Sequence, residues 1–286
     1  MKPTRWLMAL TILALVAAAC GGGTAATTAA PTETTAAPTE TTAAPATTAG
    51  SATGEVPDLG GQAITVAVEN AYPPFNFIDE ATGEPVGWDY DAVGAICERL
   101  NCVPEFVETA WDGMIIAVSE GQFDVAADGI TITEERKEQV DFSDGYISVE
   151  QRLMTRIDED RFANVEEFAA TDFLVGTQTG TTNYDVAVEN FGVDRVEAYE
   201  QFGFAVQALI NGDVDAVIID DTAGQGYIGE NAEAIKLIEG SLSSDELGFI
   251  FPKGSELVAA FNAAMAALEA DGTMAEINTT WFPPIS

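Results

Sequence analysis

The chain has 286 residues with 11 Lys+Arg against 47 Asp+Glu, a formal net charge of −36, and no histidine. The charge makes nucleic acid and anionic lipid surfaces unfavourable partners. The absence of histidine excludes Ser-His-Asp and Cys-His catalysis and the usual zinc ligand sets. Neither a metal nor a cofactor is expected.

The N-terminus reads as an export signal over residues 1–19. Lys2 and Arg5 form the charged start, Trp6 to Val16 the apolar run, and Ala17-Ala18-Ala19 the small-residue cleavage site. That run is too short to span a bilayer. Cys20 follows directly, ahead of Gly21-Gly22-Gly23, and the arrangement resembles a bacterial lipoprotein box, with Ala17 where such boxes more often carry Leu. A lipidated Cys20 on the outer face of the cytoplasmic membrane is expected, and ordinary secretion is the alternative. Residues 20–57 are dominated by Thr, Ala, Pro and Glu, with TTAAPTE at Thr27 and again at Thr34. No position of the repeat carries a large apolar residue, so the segment cannot bury enough surface to fold. As a coil it would hold its ends roughly 30–40 Å apart and act as a tether.

From Ile64 strands alternate with helices, the pattern of an α/β protein. ITVAVE is a strand, YPPF (Tyr72 to Phe75) a rigid aromatic loop, and Val93, Ile96, Cys97 and Leu100 one helical face ahead of the strand VPEFVE. Cys97 and Cys102 are the cysteines left after Cys20, and an even remainder in an exported chain predicts a structural disulfide. Met114, Ile115 and Val118 form a further helix face. It leads into Gly121 to Tyr146, read as a strand with Phe123, Val125 and Ala127 on one side, a turn at Asp128-Gly129, and a helix opening at Thr131. Thr131 with Glu134 has the spacing of a capping box. That would put Arg136 in the first turn, where a guanidinium beside free amides and hydroxyls suits a carboxylate.

A second region begins near Leu153. Phe173 to Gly176 is a strand, QTGTT (Gln178 to Thr182) a loop opening a helix, and Phe204 to Ile210 a helix closed at Asn211-Gly212. Asp215 to Asp220 is a buried strand ending in carboxylates, Leu247 to Phe251 a strand, and Leu257, Phe261, Met265 and Leu268 a last helix face. GQFDVAADG and NGDVDAVIID echo one another. Two such α/β units would present their strand ends to a shared cleft, where open α/β sheets bind ligands.

YPPF, Trp111-Asp112-Gly113, GITITEER, VDFSDGY, QTGTT and DAVIIDD occur in this order. Together they resemble the extracytoplasmic amino-acid-binding proteins of ABC importers, the polar-amino-acid branch of the solute-binding proteins, over about Gln62 to Phe282. The resemblance implies a two-lobed α/β fold with two crossing strands, near Arg152 to Arg156 and Leu247 to Phe251. Lobe 1 would comprise residues 58–152 and 248–286, and lobe 2 residues 153–247. It also implies a monomer that binds an amino acid and docks on ABC permease subunits. In such a site Arg136 would clamp the ligand α-carboxylate, helped by the Thr131 hydroxyl and the Thr182 N–H. The Gly129 carbonyl, Thr131 and Asp220 would hold the α-ammonium, and Tyr72 and Trp111 would enclose the aliphatic portion.

Glu69, Asp128 and Gln178 depart from the pattern, since Glu69 is longer than the usual Asp and Asp128 replaces a commonly small residue. None supplies a second cation. The two acids favour a basic or polar ligand (arginine, lysine, ornithine or glutamine) over glutamate. A cyclohexadienyl or arogenate dehydratase on the same scaffold and a sensory binding module are the alternatives to a non-enzymatic importer component.

Overall fold

The computed structural model describes residues 56–282. The signal, Cys20 and nearly all of the tether lie outside the described residues. The chain builds two mixed sheets and a small antiparallel one. In the first sheet the strand order is Cys102–Glu108, Gln62–Val68, Val125–Ala126, Ile250–Pro252, Val140–Phe142. Its first three strands are parallel, and Ile250–Pro252 runs antiparallel to both neighbours. In the second, Val196–Tyr199, Val175–Gln178 and Ala216–Asp220 are parallel, and Ile147–Arg156 runs antiparallel to Ala216–Asp220. Ile235–Leu237 and Ser243–Leu247 share the other edge of Ile147–Arg156.

The chain passes from the first sheet to the second between Phe142 and Ile147 and returns between Leu247 and Ile250. The first passage precedes the expected Arg152 to Arg156. The ten-residue strand Ile147–Arg156 instead belongs wholly to the second sheet, because pairing to Ser243–Leu247 begins at Ile147 itself.

Local sequence explains most elements. Helix Trp88–Leu100 buries Ala92, Val93, Ile96, Cys97 and Leu100 at a helical period and ends on Asn101 in the left-handed region. A disulfide joins Cys97 to Cys102 at the start of the edge strand. Helix Leu257–Asp271 buries Ala260, Phe261, Ala264, Met265 and Leu268 and stops at Gly272. The strand expected over Phe123–Ala127 narrows to Val125–Ala126. Asp124 instead accepts from the Thr65 backbone N–H and hydroxyl, 2.8 and 2.7 Å, tying the chain to its neighbour before the strand begins.

Helix Trp88–Leu100 enters through Gly87 at φ 138°, where a Cβ would lie 2.2 Å from the Phe75 carbonyl oxygen. A side chain there meets both an unfavourable backbone conformation and immovable backbone. Gly87→Ala is expected to cost about 2–4 kcal/mol of stability, read from denaturant midpoints. An unchanged midpoint would show that the helix entry relaxes freely.

Candidate functional site

Two parallel strands of each large sheet deliver polar residues at their C-terminal ends. Gln62–Val68 runs into Glu69, Val125–Ala126 into Asp128 and Gly129, Val175–Gln178 ends on Gln178, and Ala216–Asp220 ends on Asp220. The last strand is buried at all five positions, which fixes its terminal carboxylate firmly. A cavity lies between these strand ends. All ten residues singled out for a ligand, Glu69, Tyr72, Trp111, Asp128, Gly129, Thr131, Arg136, Gln178, Thr182 and Asp220, line it.

The helix bearing Arg136 spans Glu134–Gln139 and is capped by Thr133, whose hydroxyl accepts the Arg136 backbone N–H at 3.1 Å. The expected cap, Thr131, is displaced from that role. It bridges Leu247 in extended pairing, with Ile132 N–H donating to the Glu246 carbonyl and Gly248 N–H to the Ile130 carbonyl. The Thr131 hydroxyl instead lies 3.2 Å from that of Thr182. Gly129, at φ 58°, fits because a Cβ would come within 2.7 Å of the Tyr72 ring.

Arg136 is 9 % exposed. Its Nη1 donates to the Thr131 carbonyl at 2.9 Å, and the guanidinium stands 5.3 Å from the Trp111 ring centroid. Among the described residues no carboxylate pairs with it. Burial pulls its pKa down, opposed by Asp185, Asp220, Glu135 and Asp245. An arginine nonetheless stays charged. The site therefore holds a fixed, largely dehydrated cation with donors to spare.

Asp220 faces it as a buried acid. The Tyr72 hydroxyl donates to Oδ2 at 2.7 Å and Asn183 Nδ2 to Oδ1 at 3.0 Å. Each oxygen keeps an accepting lone pair. Burial pushes Asp220 up to about 6, against the pull of Asn183 and Tyr72. Tyr72 stacks against both Phe75 and Phe202, with ring centroids 5.4 Å away in each case.

A second group of acids sits near the ends of Gln62–Val68 and Val125–Ala126. Glu69 accepts from Gln178 Nε2 at 2.8 Å, and Asp128 Oδ1 accepts from the Glu69 backbone N–H and from Asn76 Nδ2. Burial pushes Glu69 up to about 7, and burial with the Glu69 charge pushes Asp128 well up. Asp89, behind them, rises to about 7 by burial.

Asp89 and Glu69 start from ordinary values of 3.8 and 4.5. The folded state thus holds protons that the unfolded chain releases first, and stability falls as pH rises from about 4 through about 7. The melting temperature of the ligand-free protein is expected to be higher at pH 5 than at pH 7.5. Asp89→Asn should flatten that slope. A rising slope over this window would contradict the burial of these acids.

Three lining residues escaped the sequence reading: Thr181, Asn183 and Phe202. Thr181 caps helix Thr182–Phe191 by accepting the Tyr184 N–H, a role its place in QTGTT does signal. Asn183 is recognisable only once Asp220 is seen beside it. Phe202 opens helix Phe202–Asn211 and reads in sequence as one more core aromatic.

Residues 64–284 match the family model for bacterial extracellular solute-binding proteins, family 3. The L-cystine-binding protein TcyJ of Escherichia coli K12 is 29% identical over 222 residues, covering 77% of this chain and 82% of that protein. The arginine-binding periplasmic protein of Mannheimia haemolytica is 30% identical over 226 residues, 76% of this chain and 90% of its own. An ancestral arginine-binding protein, solved bound to glutamine, superposes with a TM-score of 0.72 at 35% identity, covering 77% of this chain and 97% of that one.

Proposed function

Because the chain belongs to the bacterial extracellular solute-binding proteins of family 3, we propose that it binds one free α-amino acid in this cavity and delivers it to an ABC permease. The carrying observation is Arg136: a buried guanidinium without a carboxylate partner among the described residues, in a cavity that also holds buried Asp220. A zwitterion fits that pair. Its carboxylate meets Arg136, the Thr131 hydroxyl and the Thr182 N–H, and its ammonium meets Asp220 and the Gly129 carbonyl. Tyr72 and Trp111 enclose the carbon chain.

Charge-assisted hydrogen bonds contribute roughly 1.5–3 kcal/mol each. Micromolar affinity needs about 8 kcal/mol net, which a few such bonds with aromatic contact supply after ordering costs. Binding shifts the population from an open to a closed arrangement of the two lobes, each built on one of the two large sheets. Contacts that already cross the cleft include Tyr72 to Asp220, Gln178 to Glu69, the Thr131 and Thr182 hydroxyls at 3.2 Å, and the Tyr227 hydroxyl to the Ala71 carbonyl at 2.7 Å.

The side-chain end of the cavity carries acids and amides and no second cation, which favours arginine, lysine, ornithine or glutamine over glutamate. The similar proteins described above are named for binding arginine and cystine, and one was solved with glutamine. The protein works as a monomer, without cofactor, held to the outer face of the membrane by a lipidated Cys20. Titration calorimetry against single amino acids tests the reading. Tight binding of one of the four is expected, and tight glutamate binding with none for these four would refute the preference. The names of these relatives favour binding over catalysis, and turnover of prephenate or arogenate would reverse that.

A further inference from the structure

Behind the cavity wall, Asn76 is fully buried and makes three side-chain hydrogen bonds. Its Oδ1 accepts the Asn70 backbone N–H at 2.6 Å. Its one amide nitrogen donates to two carboxylates at once, Asp128 Oδ1 and Asp89 Oδ2, each at 2.8 Å. Asp89 is 0 % exposed, and its second oxygen, like the buried Tyr146 hydroxyl, has no hydrogen-bond partner among the described residues. Glu69 completes the group through its backbone N–H to Asp128.

Two dehydrated acids thus meet on one neutral amide, and the Glu69 charge acts on one of them, Asp128. None of the three acids forms an ion pair among the described residues. The groups facing them are Gln178, Gln201 and the Trp111 backbone on Glu69, and Tyr72, Tyr90, Tyr146 and Tyr227 nearby. Asp220 acts on Tyr72 and Tyr146, and Glu108 on Tyr90. Not one of these is a cation, and Arg136, which lines the same cavity, pairs with none of the three acids among the described residues. Like charges held this close without water cannot all ionise. A carboxylic acid in the group keeps its proton until a positive charge replaces it.

We propose that Asp128 is a specificity-determining residue that exchanges its proton for the cationic group of a basic ligand side chain, with Asn76 and Asp89 as positioning residues. Because Asn76 and Glu69 N–H both occupy Oδ1, Oδ2 is the oxygen left to meet the ligand. When a guanidinium or ammonium enters, the Asp128 O–H bond breaks heterolytically, the proton leaves to solvent, and the new carboxylate pairs with the cation. A neutral amide side chain such as glutamine's binds the protonated acid directly, by hydrogen bonds that need no proton release. One cavity thereby accepts both ligand classes and weights them by pH. This rests on the amino-acid-binding reading and adds proton linkage to it. Asp220 differs in its effect, since it meets the α-ammonium of every ligand alike.

The test is titration calorimetry of the intact protein at pH 7.5 in two buffers of different ionisation enthalpy. Arginine is expected to release up to about one proton on binding and glutamine none, and the arginine-to-glutamine affinity ratio should climb by up to about tenfold per pH unit while Asp128 titrates. Asp128→Asn should abolish the proton release and lower that ratio at least about tenfold. Asp89→Asn should move the arginine pH profile to lower pH, whereas a merely structural role would weaken binding equally at every pH. Infrared spectroscopy of the ligand-free protein provides a reading independent of binding: a protonated-carboxyl band at neutral pH that Asp128→Asn diminishes. Arginine binding without proton release, or no such band, would overturn the exchange and leave amino-acid binding standing. Failure to bind any amino acid would overturn both.

Discussion

Arg136→Ala is expected to weaken amino-acid binding by about 2–5 kcal/mol, some 30- to 5,000-fold. Most of that loss is the ligand carboxylate left in a dehydrated cavity without its counter-charge. The same substitution should change ligand-free stability by no more than about 1 kcal/mol, since it removes an unpaired buried charge as well as a cation–π contact. Among the described residues, the polar contacts of this side chain with the fold are to the Thr131 carbonyl and the Trp111 ring. Arg136→Lys keeps the charge but not the planar fork, so it should recover part of the affinity. Affinity of Arg136→Ala within twofold of wild type would remove the residue from the site.

Asp220→Asn is expected to cost about 100-fold in affinity, because the ammonium loses the carboxylate opposite it while the shape of the site is kept. The fold should tolerate it, as an amide oxygen still accepts from the Tyr72 hydroxyl that now donates to the carboxylate. Burial holds Asp220 up at about 6, so its charge is what folding disfavours and what the ligand requires. In wild type, affinity for every amino acid should therefore fall as pH drops through about 6 and protonates it. Calorimetry at pH 5 and pH 7.5 on both proteins reads this directly. An unchanged affinity in Asp220→Asn would place the ammonium elsewhere.

Much of the site could be read in advance because its residues cluster at strand ends and loop motifs. DAVIID announces a buried strand with a terminal carboxylate, and QTGTT a capped helix start. What sequence periodicity misses is decided between segments far apart in the chain. Thr131 looks like a helix cap until Leu247, more than a hundred residues on, draws it into extended pairing. The first passage between the sheets was displaced for a similar reason, since Ser243–Leu247 captures Ile147–Arg156 along its N-terminal half. Asn76 is invisible as a functional residue in sequence, because its importance lies in joining Asp89 and Asp128 from two other elements. Asn183 and Phe202 escape likewise, each gaining its meaning from a partner, Asp220 or Tyr72.

A crystal structure of the protein grown with arginine is the most direct trial of the whole account. The α-carboxylate should lie about 2.7–2.9 Å from the Arg136 guanidinium nitrogens, with the α-ammonium at the same range from Asp220. An occupied cavity in which the carboxylate contacts neither Arg136 nor the Thr182 N–H would contradict it.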